Sequence, residues 1–172
     1  MKRAVRACIG LGANLGDAVA AVQGALQALD ALPGTHLVGA SRLYRTPAWG
    51  KTDQPAFVNA AALVETTLPA RDLLDHMLSI ERDFGRDRTG VERWSARTLD
   101  LDLLLYGNEV IDEPGLHLPH PHLHERAFAL VPLVEIAADV VIPGIGSARD
   151  SLARMETADI QALTYTDPPA DA

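Results

Sequence analysis

At 172 residues the chain is long enough to bury one substantial core and requires no second domain. Fifteen Lys and Arg against 23 Asp and Glu leave a net charge of -8, which argues against nucleic acid as a partner and confines phosphate binding to a local patch. The single cysteine, Cys8, excludes an intramolecular disulfide, and no stretch approaches the roughly 18 apolar residues of a membrane span. With no apolar leader at the N-terminus either, a cytoplasmic protein without membrane contact is expected.

Ala4 to Leu11 is apolar apart from Arg6 and predicts a buried strand, ended by the run Gly10-Leu-Gly-Ala-Asn-Leu-Gly-Asp17. The G-x-G-x-x-x-G spacing, with no acidic residue closing a second strand, disfavours a dinucleotide fingerprint; the glycines read as turn residues with access to positive φ. From Asp17, Val19, Val22, Leu26, Leu29 and Leu32 recur at helical spacing until Pro33-Gly34. His36 to Tyr44 predicts a second strand, and Arg45 to Pro55 a long polar loop of the kind that carries function.

The next strand, Phe57 to Thr66, places Phe57, Asn59, Ala61 and Leu63 on one face. Phe57 is either core or a stacking surface; beside Asn59, which can donate and accept, it suits a flat heterocycle. Pro69 fits the first turn of a helix that Leu73, Leu74, Met77, Leu78, Glu81 and Phe84 carry to Gly85. Glu81, near the negative end of that helix, is either a solvated glutamate or a group facing a cation.

Gly85 to Ala96 holds Arg86, Arg88 and Arg93, with Arg97 just beyond, so the local charge reverses. Guanidinium forks match phosphate oxygens, although a solvated charged loop would have the same composition. The stretch Arg97 to Tyr106, read as a strand, sets Leu99, Leu101, Leu103 and Leu105 on one face and Asp100, Asp102 and Leu104 on the other. Two carboxylates roughly 7 Å apart can hold hard divalent cations or simply form the acidic face of an edge strand. Carboxylates for metal beside arginines for phosphate are the combination that phosphoryl transfer requires.

Beyond the turn Gly107-Asn108, Glu109 to Ile111 is expected to pair back as a short strand. His117, His120, His122 and His124 invite a zinc reading, but no distant Cys or His completes the set, and one or two histidines donating to phosphate or ribose is the better fit. A helix is expected from near Glu125, with Phe128, Leu130, Val131, Val134 and Ile136 as apolar positions and Pro132 tightening or breaking its first part. Val140 to Pro143, Ala148 to Met155 and Ile160 to Tyr165 read as an extended piece, a helix and a last strand; the domain is assigned residues 1–165, with 166–172 a frayed tail.

Taken together these motifs resemble one family, the 6-hydroxymethyl-7,8-dihydropterin pyrophosphokinases (HPPK) of folate biosynthesis. The likeness runs from Gly10 to about Pro143 and rests on Gly10-Leu-Gly-Ala-Asn-Leu-Gly16, Ser41-x-x-Tyr-Arg-Thr-Pro47 and Asp53-Gln-Pro-x-Phe-x-Asn-Ala60. It extends through Arg93-Trp-Ser-Ala-Arg-Thr-Leu-Asp-Leu-Asp-Leu-Leu104, Pro119-His120 and Arg126-x-Phe128. Ala13, Ala48, Ser95 and Pro121 depart from the family's usual residues.

The resemblance implies an α+β, ferredoxin-like sandwich with helices packed on a mainly antiparallel sheet. It further implies transfer of the β,γ-diphosphate of ATP, the co-substrate, to the hydroxymethyl group of 6-hydroxymethyl-7,8-dihydropterin, releasing AMP. By the same resemblance Asp100 and Asp102 would hold two Mg2+ ions, and Arg86 and Arg97 would join them as catalytic residues around the transferred diphosphate. The pterin would meet Thr46, Pro47, Phe57, Asn59, Trp94 and Phe128, and ATP would meet Glu81, Arg88, Arg97, Leu103, His117, His120 and Arg126. A monomer is the expected state. The competing readings are a nucleotidyltransferase attacking the α-phosphorus, which the heterocycle pocket disfavours, and a non-catalytic ferredoxin-like ligand-binding module.

Overall fold

The computed structural model describes residues 3–14, 17–47, 56–85 and 99–163. Strand β1 (Val5–Ala13) leads to helix α1 (Ala18–Asp30), whose first turn is capped by the Asp17 carboxylate accepting from the Ala20 N–H at 3.0 Å. There follow β2 (Thr35–Ala40), β3 (Tyr44–Thr46), β4 (Phe57–Thr66), α2 (Ala70–Gly85) and β5 (Asp100–Tyr106). The C-terminal part adds β6 (Ile111–Glu113), β7 (Leu116–Leu118), a 3-10 turn at Leu123–Glu125 and α3 (Ala127–Ile136). It continues with β8 (Val141–Ile142), β9 (Gly146–Ser147), α4 (Ala148–Ala153) and β10 (Gln161–Ala162).

Among the described residues the main sheet runs β10-β3-β4-β1-β5, with β2 also paired to β4, and its neighbouring strands are antiparallel. Counting β2 and β3 as one broken strand, β1-α1-β2/β3-β4-α2-β5 has the connectivity of a ferredoxin-like sandwich, as expected. The two crossover helices, α1 and α2, cover one face. Ile9 and Leu11, Ala62 and Val64, and Leu101 and Leu103 pack there against Val22, Leu29, Leu73 and Met77. Burying a side chain such as Leu73 or Met77 contributes about 1.5–3 kcal/mol. Gly24 lets the helices approach closely, since a Cβ there would lie 2.9 Å from Phe84 Cζ. On the opposite face, Cys8, Ala61, Leu63, Leu104 and Leu105 meet Leu130 and Leu133 of α3, with Leu123, Ile142 and Ala148.

Four expectations are corrected. The strand predicted over His36 to Tyr44 is two strands, because Ser41 interrupts the ladder: its N–H donates to Ala61 O while its Oγ accepts from the Ala61 N–H, both at 2.9 Å. Leu105 does not share a face with Leu99, Leu101 and Leu103. Cys8 pairs with Leu105 and Ile9 with Leu103, so Leu104 is the extra residue of a β-bulge, and beyond it Leu105 joins the α3 face while Tyr106 turns to the other. Gly10 and Gly12 lie inside β1 rather than in a turn, and neither has positive φ. Lastly, the short strand expected at Glu109 to Ile111, pairing back across Gly107-Asn108, does not form there: Glu109 and Val110 lie outside any strand, and β6 begins only at Ile111 and pairs with β7, because Pro114-Gly115, with Gly115 at φ 76°, makes the tight turn.

Candidate active site

Between the sheet and the N-terminal end of α3 lies a cleft of about 290 Å3. Its floor follows from strand register. Asn59 of β4, Gly12 of β1 and Asp100 of β5 form one row across the sheet, and Ala61, Gly10 and Asp102 form the next. Residues opposite one another in an antiparallel sheet point to the same face. The carboxamide and the carboxylates therefore rise from strands about 10 Å apart, on either side of a central strand that two glycines leave bare. A Cβ on Gly12 would stand 2.9 Å from Asn59 Oδ1, and one on Gly10 would meet Leu104 Cδ1 at 3.4 Å.

Asn59 is buried, and its Nδ2 donates to Thr46 Oγ1 at 2.8 Å, which fixes the carboxamide and leaves Oδ1 on the Gly12 side. Phe57, Thr46 and Pro47 form the wall beside it, and Phe128, Ala129 and Arg126 close the cleft from α3. The Arg126 guanidinium lies 5.8 Å from the Phe128 ring centroid, within cation–π range, so the same ring borders both the apolar and the cationic part of the cleft.

His120 docks onto the bulge: its N–H donates to Leu104 O at 3.0 Å, which brings Nε2 to 4.0 Å from Asp102 Oδ1. The His122 N–H donates to His120 Nδ1 at 3.1 Å, so Nδ1 is an acceptor and the proton of the neutral ring sits on Nε2, facing the carboxylate. Burial, with Arg126 and His122 adding to it, holds the His120 pKa below the ordinary imidazole value even though Asp102 pulls the other way. The remaining histidines of the segment face two other carboxylates, Asp112 and Glu125. His117 Nδ1 lies 2.7 Å from Asp112, His122 Nδ1 3.0 Å from Glu125, and His124 Nε2 4.0 Å from the other oxygen of Glu125.

Among the described residues no three His, Cys, Asp or Glu side chains converge as a metal cage. Asp100 and Asp102 instead offer hard oxygens at the open edge of a cleft. That donor set fits a cation such as Mg2+, which keeps waters and takes phosphate oxygens as its remaining ligands.

A family model described as 7,8-dihydro-6-hydroxymethylpterin-pyrophosphokinase (HPPK) matches residues 8–138. The chain belongs to the HPPK family. It is 46% identical over 158 residues to the 2-amino-4-hydroxy-6-hydroxymethyldihydropteridine pyrophosphokinase of Methylorubrum extorquens, covering 92% of this chain and 98% of that protein. The Haemophilus influenzae protein of the same name is 48% identical over 139 residues, 81% of this chain and 86% of the relative. In shape the chain is similar to Plasmodium falciparum HPPK-DHPS, with a TM-score of 0.71 at 14% identity over 89% of this chain. It spans 43% of that longer chain, and the likeness speaks for the fold alone.

Of the residues that the HPPK resemblance singles out, the cleft brings together Thr46, Pro47, Phe57, Asn59, Asp100, Asp102, His120, Arg126 and Phe128. Three others stand outside its lining. Leu103 is buried against α1 and α2, because its odd position on β5 precedes the bulge. His117 is on the exposed β6–β7 hairpin with Asp112. Glu81 reaches the outer edge of β5, where its Oε2 accepts from the Leu101 N–H at 2.7 Å, between the two aspartates. Arg86, Arg88, Trp94 and Arg97 lie outside the described residues. Sequence reasoning missed Gly10, Gly12 and Leu104 as cleft residues; the available signal was two glycines two apart inside an apolar strand, which bare one face of it. No helix among the described residues is long and apolar enough to cross a membrane.

Proposed function

We propose that this chain is an ATP-dependent diphosphokinase acting on 6-hydroxymethyl-7,8-dihydropterin, and that the cleft is its active site. The observation that carries the reading is the pairing, across one bare sheet face, of a heterocycle wall (Phe57 and Asn59 of the sheet, Phe128 of α3) with a carboxylate pair (Asp100, Asp102). The hydroxymethyl oxygen attacks the β-phosphorus of ATP; the bond from that phosphorus to the oxygen bridging it to the α-phosphorus breaks. AMP leaves with the bridging oxygen, and the hydroxyl proton passes to solvent. Only positioning and charge neutralisation are asked of the protein.

Asp100 and Asp102 would hold Mg2+, with two ions the expected number; when bound, the metal supplies charge neutralisation at the phosphate oxygens and acidifies the alcohol. Asn59 and the backbone near Thr46 and Pro47 bond the pterin edge, while Phe57 and Phe128 flank its faces. His120, through Nε2–H, and Arg126 donate to phosphate or ribose; by the family resemblance Arg86 and Arg97 would neutralise the transferred diphosphate, Arg88 would meet ATP and Trp94 the pterin.

The outer edge of β5, the end strand of the main sheet among the described residues, accounts for Glu81, Leu103 and His117. Leu101 turns its N–H away from β1, towards Glu81, and Leu103, two positions on, shares that orientation. In this reading the base of ATP lies along that edge. Glu81 orders it, Leu103 contributes backbone groups rather than its side chain, and His117 on β7 marks its far end.

Incubation with ATP, Mg2+ and hydroxymethyldihydropterin, followed by separation of products, tests the proposal. Equimolar AMP and pterin diphosphate are expected. Formation of ADP, or of pyrophosphate with a nucleotidyl-pterin, would overturn it in favour of a different phosphorus centre.

A further inference from the structure

Helix α3 is apolar along its whole length except at Glu135, the one charged residue between Ala127 and Ile136. The Glu135 side chain keeps 27% of its surface exposed, so its carboxylate gives up part of its hydration, and donors replace the lost water. Glu135 has three. The Arg42 N–H donates to Oε2 at 3.0 Å, Arg42 Nε–H donates to Oε1 at 3.4 Å, and the Tyr44 hydroxyl donates to the same Oε1. Arg42 also donates to the Tyr44 hydroxyl at 3.3 Å and stacks 5.7 Å from its ring centroid. Burial opposes ionisation of Glu135, but these donors outweigh it and hold the carboxyl below the ordinary value.

What this cluster joins is informative. Tyr44 is the first residue of β3, a strand of three residues, and it pairs with Asn59; Thr46, two positions on, accepts the bond that fixes the Asn59 carboxamide. Phe128 lies seven residues before Glu135 on α3. Seven residues are two helical turns, so both side chains lie on one face about 10 Å apart along the axis. The helix and the short strand are thus opposite walls of the cleft, tied together at the end away from Phe128.

We infer that Glu135 is a positioning residue for pterin binding: by clipping α3 to β3 through Arg42 and Tyr44, it sets the separation between Phe128 and the Asn59–Thr46 wall. The inference rests on the proposed function of that cleft. The Arg42 side chain is largely exposed, so its ion pair contributes little by itself; the Tyr44 hydroxyl and the Arg42 backbone N–H carry the tie. ATP depends on this separation less, because of its proposed contacts only Arg126, the N-cap, belongs to α3, whereas Asp100 and Asp102 stand on β5 and His120 is anchored to Leu104.

The test compares Glu135→Ala and Tyr44→Phe with the wild type, measuring hydroxymethyldihydropterin affinity by fluorescence titration, affinity for a non-hydrolysable ATP analogue with Mg2+, and fold by circular dichroism. Pterin binding is expected to weaken about tenfold in Glu135→Ala and less in Tyr44→Phe, with analogue affinity within about twofold. The double variant should be no weaker than Glu135→Ala, because both act through one tie. Pterin affinity unchanged in a folded variant, or equal weakening of both ligands, would overturn the inference. Tyr44→Phe keeps the ring and serves if Glu135→Ala does not fold. A wild type that fails to bind the pterin at all would instead overturn the proposed function, and this inference with it.

Discussion

Gly12 and Asn59 are register partners across β1 and β4, and the carboxamide oxygen of Asn59 occupies the space a Gly12 side chain would fill, 2.9 Å from an ideal Cβ. The glycine is there for room rather than for backbone freedom, since its φ is not positive. Gly12→Ala is therefore expected to keep the fold but displace the carboxamide, raising the pterin KM about tenfold or more. Gly39→Ala is the control: its Cβ would meet nothing within 4 Å, and it should be neutral or slightly stabilising by thermal denaturation.

Thr46 supplies the acceptor for a carboxamide that is only 6% exposed. Thr46→Val leaves the Asn59 Nδ2 without that partner, at a cost of about 1–3 kcal/mol, whereas Thr46→Ser retains the hydroxyl. Urea denaturation and pterin titration should show both stability and affinity lost in the valine variant and largely kept in the serine variant.

Much of this arrangement is legible in the amino-acid sequence. The period-2 pattern over Phe57 to Leu63 and the Asp100/Asp102 pair fixed which side chains share a face, because strand parity is a local property. Parity failed at Leu105, since a bulge inserts one residue through a pairing with β1 that β5 alone does not encode. The Ser41 break escaped notice for a similar reason: a hydroxyl standing in for a backbone acceptor depends on Ala61, twenty residues away. Gly10 and Gly12 were misassigned because glycine signals both turns and close approach, and only the cross-strand neighbour decides between them. Glu135 is a lone carboxylate on an apolar helix, but its partners Arg42 and Tyr44 lie 93 and 91 residues away, so the sequence shows the anomaly and not its reason.

Cys8 gives a pH signature. Burial pushes its thiol up from the ordinary 9.0 to about 11, so the folded state holds the proton more tightly than the unfolded chain. The stability this group contributes is thus fully present below the ordinary value and is lost as pH rises from there through about 11. Two outcomes are expected. Thiol reagents should modify Cys8 at pH 8 only on unfolding, and Cys8→Ala should lose less stability than the wild type between pH 9 and 11. Rapid native-state modification at pH 8 would show that the thiol is accessible after all.

The central claim is that the carboxylate pair and the heterocycle wall act on two substrates at one site, and pterin-dependent release of AMP from ATP in wild type and Asp102→Asn tests it most directly. The account predicts one AMP per pterin diphosphate in the wild type. In Asp102→Asn it predicts a loss of about a thousandfold or more, with pterin binding and circular dichroism unchanged. An Asp102→Asn variant as active as the wild type, or AMP release that does not depend on the pterin, would contradict it.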